Sequence, residues 1–162
     1  MKILLLGAGK TGSLVAEAAR ERGHVVTILR SADNTDGSGL TRQRLTDIDV
    51  VVDFTSPECV LENIGACLSA KQTMVVGTTG WYAEIPRIRA EVESQGCAFM
   101  YGSNFSIGVN LFFDLVQTSA PALAHNYLPH IYERHHAQKK RCALRHRSHH
   151  SEFVAEKFRS GD

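Results

Sequence analysis

The chain has no excess of either charge. Its 162 residues include 18 lysines and arginines and 17 aspartates and glutamates, a formal net charge of +1, so no global electrostatic argument favours nucleic-acid binding. No apolar run approaches the roughly 18 residues of a membrane-spanning helix. Met1-Lys2 and the four apolar residues before Gly7 are too short for a signal peptide. We therefore expect a cytoplasmic protein that binds neither nucleic acid nor a membrane.

Cysteine pairs with metal-binding spacing are also missing. Cys59, Cys67, Cys97 and Cys142 form no C-x-x-C pair, which excludes the usual spacing of a zinc site or redox dithiol. We expect free thiols and no bound metal. The 43% hydrophobic and 22% charged content is that of an ordinary globular protein, and the length allows one domain plus part of a second.

Strand-like and helix-like segments alternate over the first two-thirds of the chain. Apolar runs predict strands at 3–6, 25–29, 50–52, 74–76 and 97–101, and helices are predicted at 11–22, 57–70, 81–95 and 107–122. Leu14, Val15 and Ala18 form the apolar stripe expected on the first helix, and Pro57 is expected at the first helical position of the second. The polar segment 31–39 reduces one crossover helix to a loop. The pattern predicts an α/β fold, a Rossmann-like doubly wound parallel sheet over residues 1–106.

A glycine-rich turn joins the first strand to the first helix. It matches G-x-G-x-x-G and consists of Gly7, Ala8, Gly9, Lys10, Thr11 and Gly12. In this context the first glycine allows the turn, the second lets the backbone approach a pyrophosphate, and the third allows close helix–strand packing. The helix N-terminus offers free N–H groups to phosphates. The turn therefore predicts a dinucleotide site.

Three further strand ends fall where ligands bind in open α/β sheets. Arg30, after the second strand, favours NADPH with NADH also accepted, although a solvated surface arginine is an equal alternative. The others are the sequences Asp53-Phe54-Thr55 and Gly77-Thr78-Thr79-Gly80. Their glycines and hydroxyls suit a ribose or nicotinamide amide, and each is also compatible with an ordinary turn carrying an N-cap threonine.

The order of five motifs carries a family resemblance. GAGKTG, DFTSP, VVGTTG, NFSIGVN and ERHHAQK occur in that sequence between Met1 and Lys140. This order resembles the 4-hydroxy-tetrahydrodipicolinate reductases, long called dihydrodipicolinate reductases, of lysine and diaminopimelate biosynthesis. The resemblance implies NAD(P)H-dependent reduction of a cyclic dicarboxylate, an incomplete α+β substrate domain at 107–140, and a homotetramer in an intact homologue.

The resemblance also implies residue roles. His135 and Lys139 are the candidates for proton donation and polarisation, which suits a histidine that titrates near neutral pH and a lysine ammonium. His136 is implied in holding the substrate. The implied cofactor residues include Phe54, Thr55, the loop from Gly77 to Gly80, and Asn104 and Phe105 near the domain junction.

The sequence departs from the family after Lys140. The family continues with D-A-P-S-G-T-A, an anion-binding turn, whereas this chain has Arg141-Cys142-Ala143-Leu144-Arg145-His146-Arg147. A back-translation of that segment, read one base later, encodes D-A-P-S-G-T. We therefore hypothesise that one adenine was gained in the codons for Lys139-Lys140, so that 141–162 is an aberrant basic, histidine-rich tail and activity is severely reduced.

Three other interpretations remain. The chain is compatible with a non-catalytic NAD(P)-binding fragment. It is also compatible with another two-domain reductase, such as aspartate or homoserine dehydrogenase, although those share the glycine turn but not HHxxK after NFSxGVN. A metal or nucleic-acid role for His146, His149 and His150 matches no defined spacing and lacks interleaved aromatics.

Overall fold

The fold is seen in a computed structural model that describes residues 1–128. It contains a compact unit, Met1–Asp114, and a second unit that begins at Leu115. The strands are β1 (Lys2–Leu6), β2 (Val25–Leu29), β3 (Val50–Asp53), β4 (Met74–Val76) and β5 (Phe99–Tyr101). The helices are α1 (Lys10–Glu21), α2 (Arg42–Leu45), α3 (Val60–Ser69), α4 (Ile85–Gln95) and α5 (Ile107–Ser119).

The five strands form one parallel sheet in the order β2-β1-β3-β4-β5. Leu4, Leu5 and Leu6 of β1 are buried, as expected of a central strand covered on both faces. The chain adds β2 on one side of β1 and then β3 on the other, so the strand order reverses between β1 and β3. This confirms the Rossmann-like doubly wound fold, and it places the crevice of such folds between the carboxyl ends of β1 and β3.

Helix α1 packs through small residues. Its buried positions are Gly12 and Ala16, whereas Leu14 is 58% exposed. The predicted apolar stripe is therefore wrong at Leu14, whereas its other members, Val15 and Ala18, are half-buried. The glycine brings the helix so close to the strand that only small side chains fit between them. The predicted end of this helix at Gly23 is confirmed, since Gly23 has φ +78°.

The segment after β2 is mostly turn, as predicted. Two short 3₁₀ turns, Ser31–Asp33 and Thr35–Gly37, precede the four-residue α2. The sequence did not predict α2, which begins where the Thr41 hydroxyl accepts a hydrogen bond from the Arg44 N–H at 3.3 Å.

Helix α3 begins three residues later than predicted. The N–H groups of Cys59 and Val60 both donate to the Ser56 carbonyl at 3.2 Å, which forms a turn. Pro57 lies in this turn and not at the first helical position. Proline suits both sites because its fixed φ fits turns as well as helix starts.

The last two helices are shorter than predicted. A 3₁₀ turn, Tyr82–Glu84, precedes α4, which carries Pro86 in its first turn and ends at the left-handed Gly96. Helix α5 ends at Ser119 and gives way to a 3₁₀ segment, Ala120–His125. Within residues 1–128, no helix is long and apolar enough to cross a membrane. The domain boundary near Ser106 stays a prediction.

Candidate cofactor site

The carboxyl edge of the sheet collects the predicted site loops. Because all five strands are parallel, the segments that follow them leave the sheet at the same edge. The segments that follow β1 and β3 are neighbours, at the point where the strand order reverses. The segment that follows β4 lies next to the segment that follows β3. This is where a ligand binds in open α/β sheets.

The glycine turn is built for a close backbone approach. Gly7 has φ +91°, and a Cβ there would collide with the Phe54 carbonyl. A Cβ on Gly12 would collide with the Gly7 carbonyl, whereas a Cβ on Gly9 would meet nothing within 4 Å. Two glycines are thus required by packing inside the protein. Gly9 instead faces open space.

The N-terminus of α1 is open to an anion. Gly9 is its N-cap, no side chain caps the helix, and the first turn has no acidic residue. The first backbone N–H groups of a helix have no intrahelical partner, and they carry the positive end of the helix dipole. Gly9 leaves the space in front of them free. The turn therefore fits a pyrophosphate.

Phe54 connects the loops after β1, β4 and β5. Its carbonyl lies under Gly7, and its ring fills the space that a Cβ on Gly77 would need. The ring also meets Phe105 edge-on, with ring centroids 6.3 Å apart, while Phe105 packs over Gly102. Contact with the Phe54 ring therefore explains why residue 77 has no side chain.

Asp53 organises the turns on either side of Phe54. Its buried carboxylate Oδ1 accepts hydrogen bonds from the Thr55 N–H at 2.9 Å, the Thr55 hydroxyl at 2.6 Å and the Thr78 hydroxyl at 2.7 Å. Thr78 is itself buried, and its carbonyl accepts from the Trp81 indole N–H at 2.8 Å. Both threonine side chains thus turn toward the protein.

The remaining predicted positions are exposed. Arg30 caps the first 3₁₀ turn after β2 and is solvent-exposed, as are Thr79 and Gly80. Asn104 lies three residues before α5: its Oδ1 accepts from the Ser106 N–H at 2.8 Å, and its backbone carbonyl accepts from the Asn110 side-chain amide at 3.1 Å.

The structure brings together the glycine turn, Phe54, Thr55, the Gly77–Gly80 loop and Phe105. His135, His136 and Lys139 lie outside the described residues, as does the tail 141–162. Sequence reasoning quoted Asp53 but gave it no role, and it missed Asn63 of α3. A charge immediately after the apolar run Val50-Val51-Val52 was the available signal, because the end of a central strand is buried.

The three described cysteines, Cys59, Cys67 and Cys97, are free. Among residues 1–128, no group of three or more His, Cys, Asp or Glu side chains is arranged to hold a metal ion. Burial, with a smaller contribution from the Asp53 carboxylate, raises the pKa of Cys67 to about 12. Cys67 is therefore a neutral core thiol.

Comparison with known proteins agrees with the geometry. The model of the dihydrodipicolinate reductase N-terminus matches residues 1–105. Two relatives called 4-hydroxy-tetrahydrodipicolinate reductase come from Christiangramia forsetii, 36% identical over 141 residues, and Hahella chejuensis, 31% identical over 159 residues. Each alignment covers 86% of this chain. The chain spans 57% and 59% of the length of these relatives.

Solved structures show the same fold. A dipicolinate-bound dihydrodipicolinate reductase from Paenisporosarcina sp. TG-14 aligns over 87% of this chain and 71% of its own, with a TM-score of 0.59 and 18% identity. An apo saccharopine dehydrogenase from Saccharomyces cerevisiae aligns over 77% of this chain and 32% of its own, with a TM-score of 0.53 and 18% identity. The N-terminal match, which includes the glycine turn and the loops packed against it, shows that the chain belongs to the dihydrodipicolinate reductase family.

Proposed function

We propose that residues 1–106 bind NAD(P)H and that the chain derives from a 4-hydroxy-tetrahydrodipicolinate reductase. The observation that carries the proposal is the uncapped N-terminus of α1 behind Gly9, which has open space in front of it. A pyrophosphate there receives backbone N–H donors and the helix dipole. The rest of a dinucleotide then extends along the carboxyl edge toward the loops after β2 and β4.

Contacts inside the protein fix the loops of the proposed cofactor site. Phe54 is clamped between the glycine turn and Gly77, and Asp53 holds Thr55 and Thr78 from inside. These contacts keep the loops in place before any ligand arrives. A preformed site loses less conformational entropy on binding.

For the reaction, we propose a cyclic dicarboxylate as the substrate. When bound, NAD(P)H supplies the hydride. His135 and Lys139 deliver a proton to the reduced substrate and polarise it, while His136 and the lysine ammonium attract its carboxylates. The names of the curated relatives support this substrate, as does the dipicolinate bound to the Paenisporosarcina reductase.

Arg30 is proposed to set the cofactor preference. It is exposed at the end of β2, where a basic residue accommodates a ribose 2′-phosphate. We expect Arg30→Ala to weaken NADPH binding roughly tenfold and NADH binding little, because a hydrogen bond to a charged group is worth about 1.5–3 kcal/mol. Arg22→Ala, another exposed arginine but at the C-terminus of α1, is the matched control.

The first experiment is a titration of the purified chain with NADPH and NADH by isothermal calorimetry. We expect one saturable site. An absence of binding at millimolar cofactor would contradict the proposal. Equal losses of NADPH and NADH affinity in Arg30→Ala would remove the arginine's role while leaving the site itself.

The second candidate function is cofactor binding without catalysis. It is favoured by the departure from the family sequence after Lys140, since the anion-binding turn of the family does not follow. Oxidation of NADPH followed at 340 nm with 4-hydroxy-tetrahydrodipicolinate separates the two. Binding without turnover supports the fragment, whereas turnover that His135→Ala abolishes supports the reductase.

We also propose that the protein is cytoplasmic and that residues 107–140 form the start of the substrate domain. For an intact homologue we propose a homotetramer. The sequences of the biosynthetic relatives support the first two. Light scattering of the chain made from the gene with one adenine removed tests the assembly.

A further inference from the structure

Asp53 is a charged group in the middle of the core. It is fully buried, and it is the one charged side chain among the buried polar residues of the described region. Burying a carboxylate is costly unless hydrogen bonds satisfy it. Within residues 1–128 its hydrogen-bond donors are neutral: Thr55, Thr78 and Asn63. Packing alone does not explain why a carboxylate that needs several hydrogen bonds occupies this core position.

The hydrogen bonds continue away from Asp53 in a second direction. Its Oδ2 accepts from the Asn63 side-chain amide of α3 at 2.8 Å. The Asn63 side-chain Oδ1 accepts from the Asn34 side-chain Nδ2 at 2.7 Å, and the Asn34 side-chain Oδ1 accepts from the Gly39 backbone N–H at 3.0 Å. Asn63 is fully buried and Asn34 is 7% exposed. We call the three side chains of Asp53, Asn63 and Asn34 the Asp53 network.

The Asp53 network joins loops at three strand ends. Asn34 and Gly39 lie in the segment that Arg30 opens after β2, Thr55 follows β3, and Thr78 follows β4. Each loop belongs to the proposed cofactor site, yet none of the three network side chains is exposed. Hydrogen-bonded groups in a low-dielectric interior hold one another in a single geometry.

We propose that Asp53 is a positioning residue that sets the loops after β3 and β4 for the cofactor and couples them, through Asn63 and Asn34, to the loop after β2. The proposal rests on the proposed function and extends it to side chains that do not touch the cofactor. Its consequence is that a change at Asp53 alters the loop after β2, on the far side of β1.

Asp53→Asn is the direct test, because it keeps the shape and replaces one acceptor by a donor. In either orientation its amide NH₂ faces at least one donor, either Asn63 or the donors from Thr55 and Thr78. We expect NADPH affinity to fall by about tenfold, since a buried hydrogen-bond partner is lost. The matched control is Asp49→Asn, near the opposite end of β3, where Asp49 accepts from the Lys2 N–H at 2.6 Å.

The double variant Asp53→Asn with Asn63→Asp restores the pattern. The new carboxylate at 63 accepts from both the amide at 53 and Asn34. We expect NADPH affinity within about threefold of the unaltered chain. Because every hydrogen bond has a donor and an acceptor again, this variant also tests the proposal if the single variant does not fold. Asn34→Ala tests the end of the Asp53 network that is farthest from Asp53. We expect the NADPH affinity of this variant to fall as well.

A cofactor-free readout accompanies the titrations. Amide hydrogen exchange measured by NMR should show faster exchange at both Thr55 and Gly39 in Asp53→Asn, and restored protection in the double variant. Folded Asp53→Asn that binds NADPH as the unaltered chain does would overturn the inference while leaving the proposed function intact. So would faster exchange at Thr55 alone, or no recovery in the double variant. Failure of the unaltered chain to bind NADPH would instead overturn the proposed function and the inference together.

Discussion

Gly9 and Gly12 belong to the same turn but have different surroundings. A Cβ on Gly12 collides with the Gly7 carbonyl, whereas a Cβ on Gly9 enters open space. Packing inside the protein therefore requires a glycine at position 12 and sets no such requirement at position 9. The G-x-G-x-x-G pattern predicts the same difference: its second glycine lets the backbone approach a pyrophosphate, and its third lets the helix pack closely on the strand.

The two positions make a matched pair of alanine substitutions. We expect Gly12→Ala to lower the free energy of unfolding by about 1–3 kcal/mol, because an added methyl must displace backbone. Gly9→Ala should leave thermal stability unchanged and weaken NADPH binding. Thermal unfolding and calorimetric titration measure both effects. The control is Gly65→Ala in α3, where a Cβ also meets nothing within 4 Å. Equal NADPH affinity in Gly9→Ala and Gly65→Ala would contradict the expectation.

Cys67 makes stability depend on alkaline pH. Burial raises its pKa in the folded protein from 9.0 to about 12. Between these values the unfolded chain has lost the thiol proton and the folded chain has kept it. The unfolded state therefore binds fewer protons, and the contribution of Cys67 to stability, complete below pH 9, is lost as the pH rises toward 12.

Urea unfolding between pH 8 and 11 checks this expectation. Cys67→Ala should have a lower free energy of unfolding than the unaltered chain at pH 8, because it leaves a small cavity. Above pH 9 its free energy of unfolding should fall less steeply with pH than that of the unaltered chain. In the folded chain Cys67 should resist alkylation that labels the half-buried Cys59 and Cys97. Labelling of Cys67 at the same rate as those two would show that the thiol is accessible.

Among the five α-helices of the described region, α5 differs from the other four because none of its residues is buried. Ile107, Leu111 and Leu115, spaced four residues apart, are 78%, 58% and 66% exposed. This spacing puts them on one face of the helix. The amphipathic helix expected from the sequence is present, and its apolar face is exposed. Exposed apolar surface of this kind promotes association.

We expect Leu111→Lys to improve solubility without loss of stability. An exposed leucine contributes little to the core, so its replacement should change the free energy of unfolding by less than about 0.5 kcal/mol. Binding of the dye ANS and light scattering should both fall. Ile64→Ala, a change at a fully buried position of α3, should by contrast cost about 2–5 kcal/mol. A destabilised Leu111→Lys would show that this face has a partner.

The strand predictions succeeded for a physical reason. Central parallel strands are buried on both faces, so β1 and β3 are continuous apolar runs that need no tertiary information. Helix starts were less predictable. Pro57 suits a turn as well as a first helical turn, and the hydrogen bonds to the Ser56 carbonyl decide between them. Short α2 left no periodic pattern at all.

For the whole molecule, the strongest sequence-based hypothesis concerns the reading frame. The family motifs run to Lys140, and the next seven residues back-translate to D-A-P-S-G-T when read one base later. We expect the DNA from Lys139 to Arg147 to contain that reading and an extended adenine run. A gene sequence whose shifted frame lacks it would contradict the hypothesis. Removal of one adenine should then restore a substrate domain and turnover by NADPH oxidation.

The sequence by itself determined the strands and the glycine turn, because each depends on residues close together in the chain. It determined the family through the order of five such local motifs. Tertiary structure alone decided that Leu14 is exposed and that Asp53 is linked to Asn63 and Asn34. Asn34 and Asn63 are 29 residues apart, and Asp53 and Thr78 are 25 apart. Their hydrogen bonds exist because the parallel sheet brings distant strand ends to one edge, and no local pattern encodes that proximity.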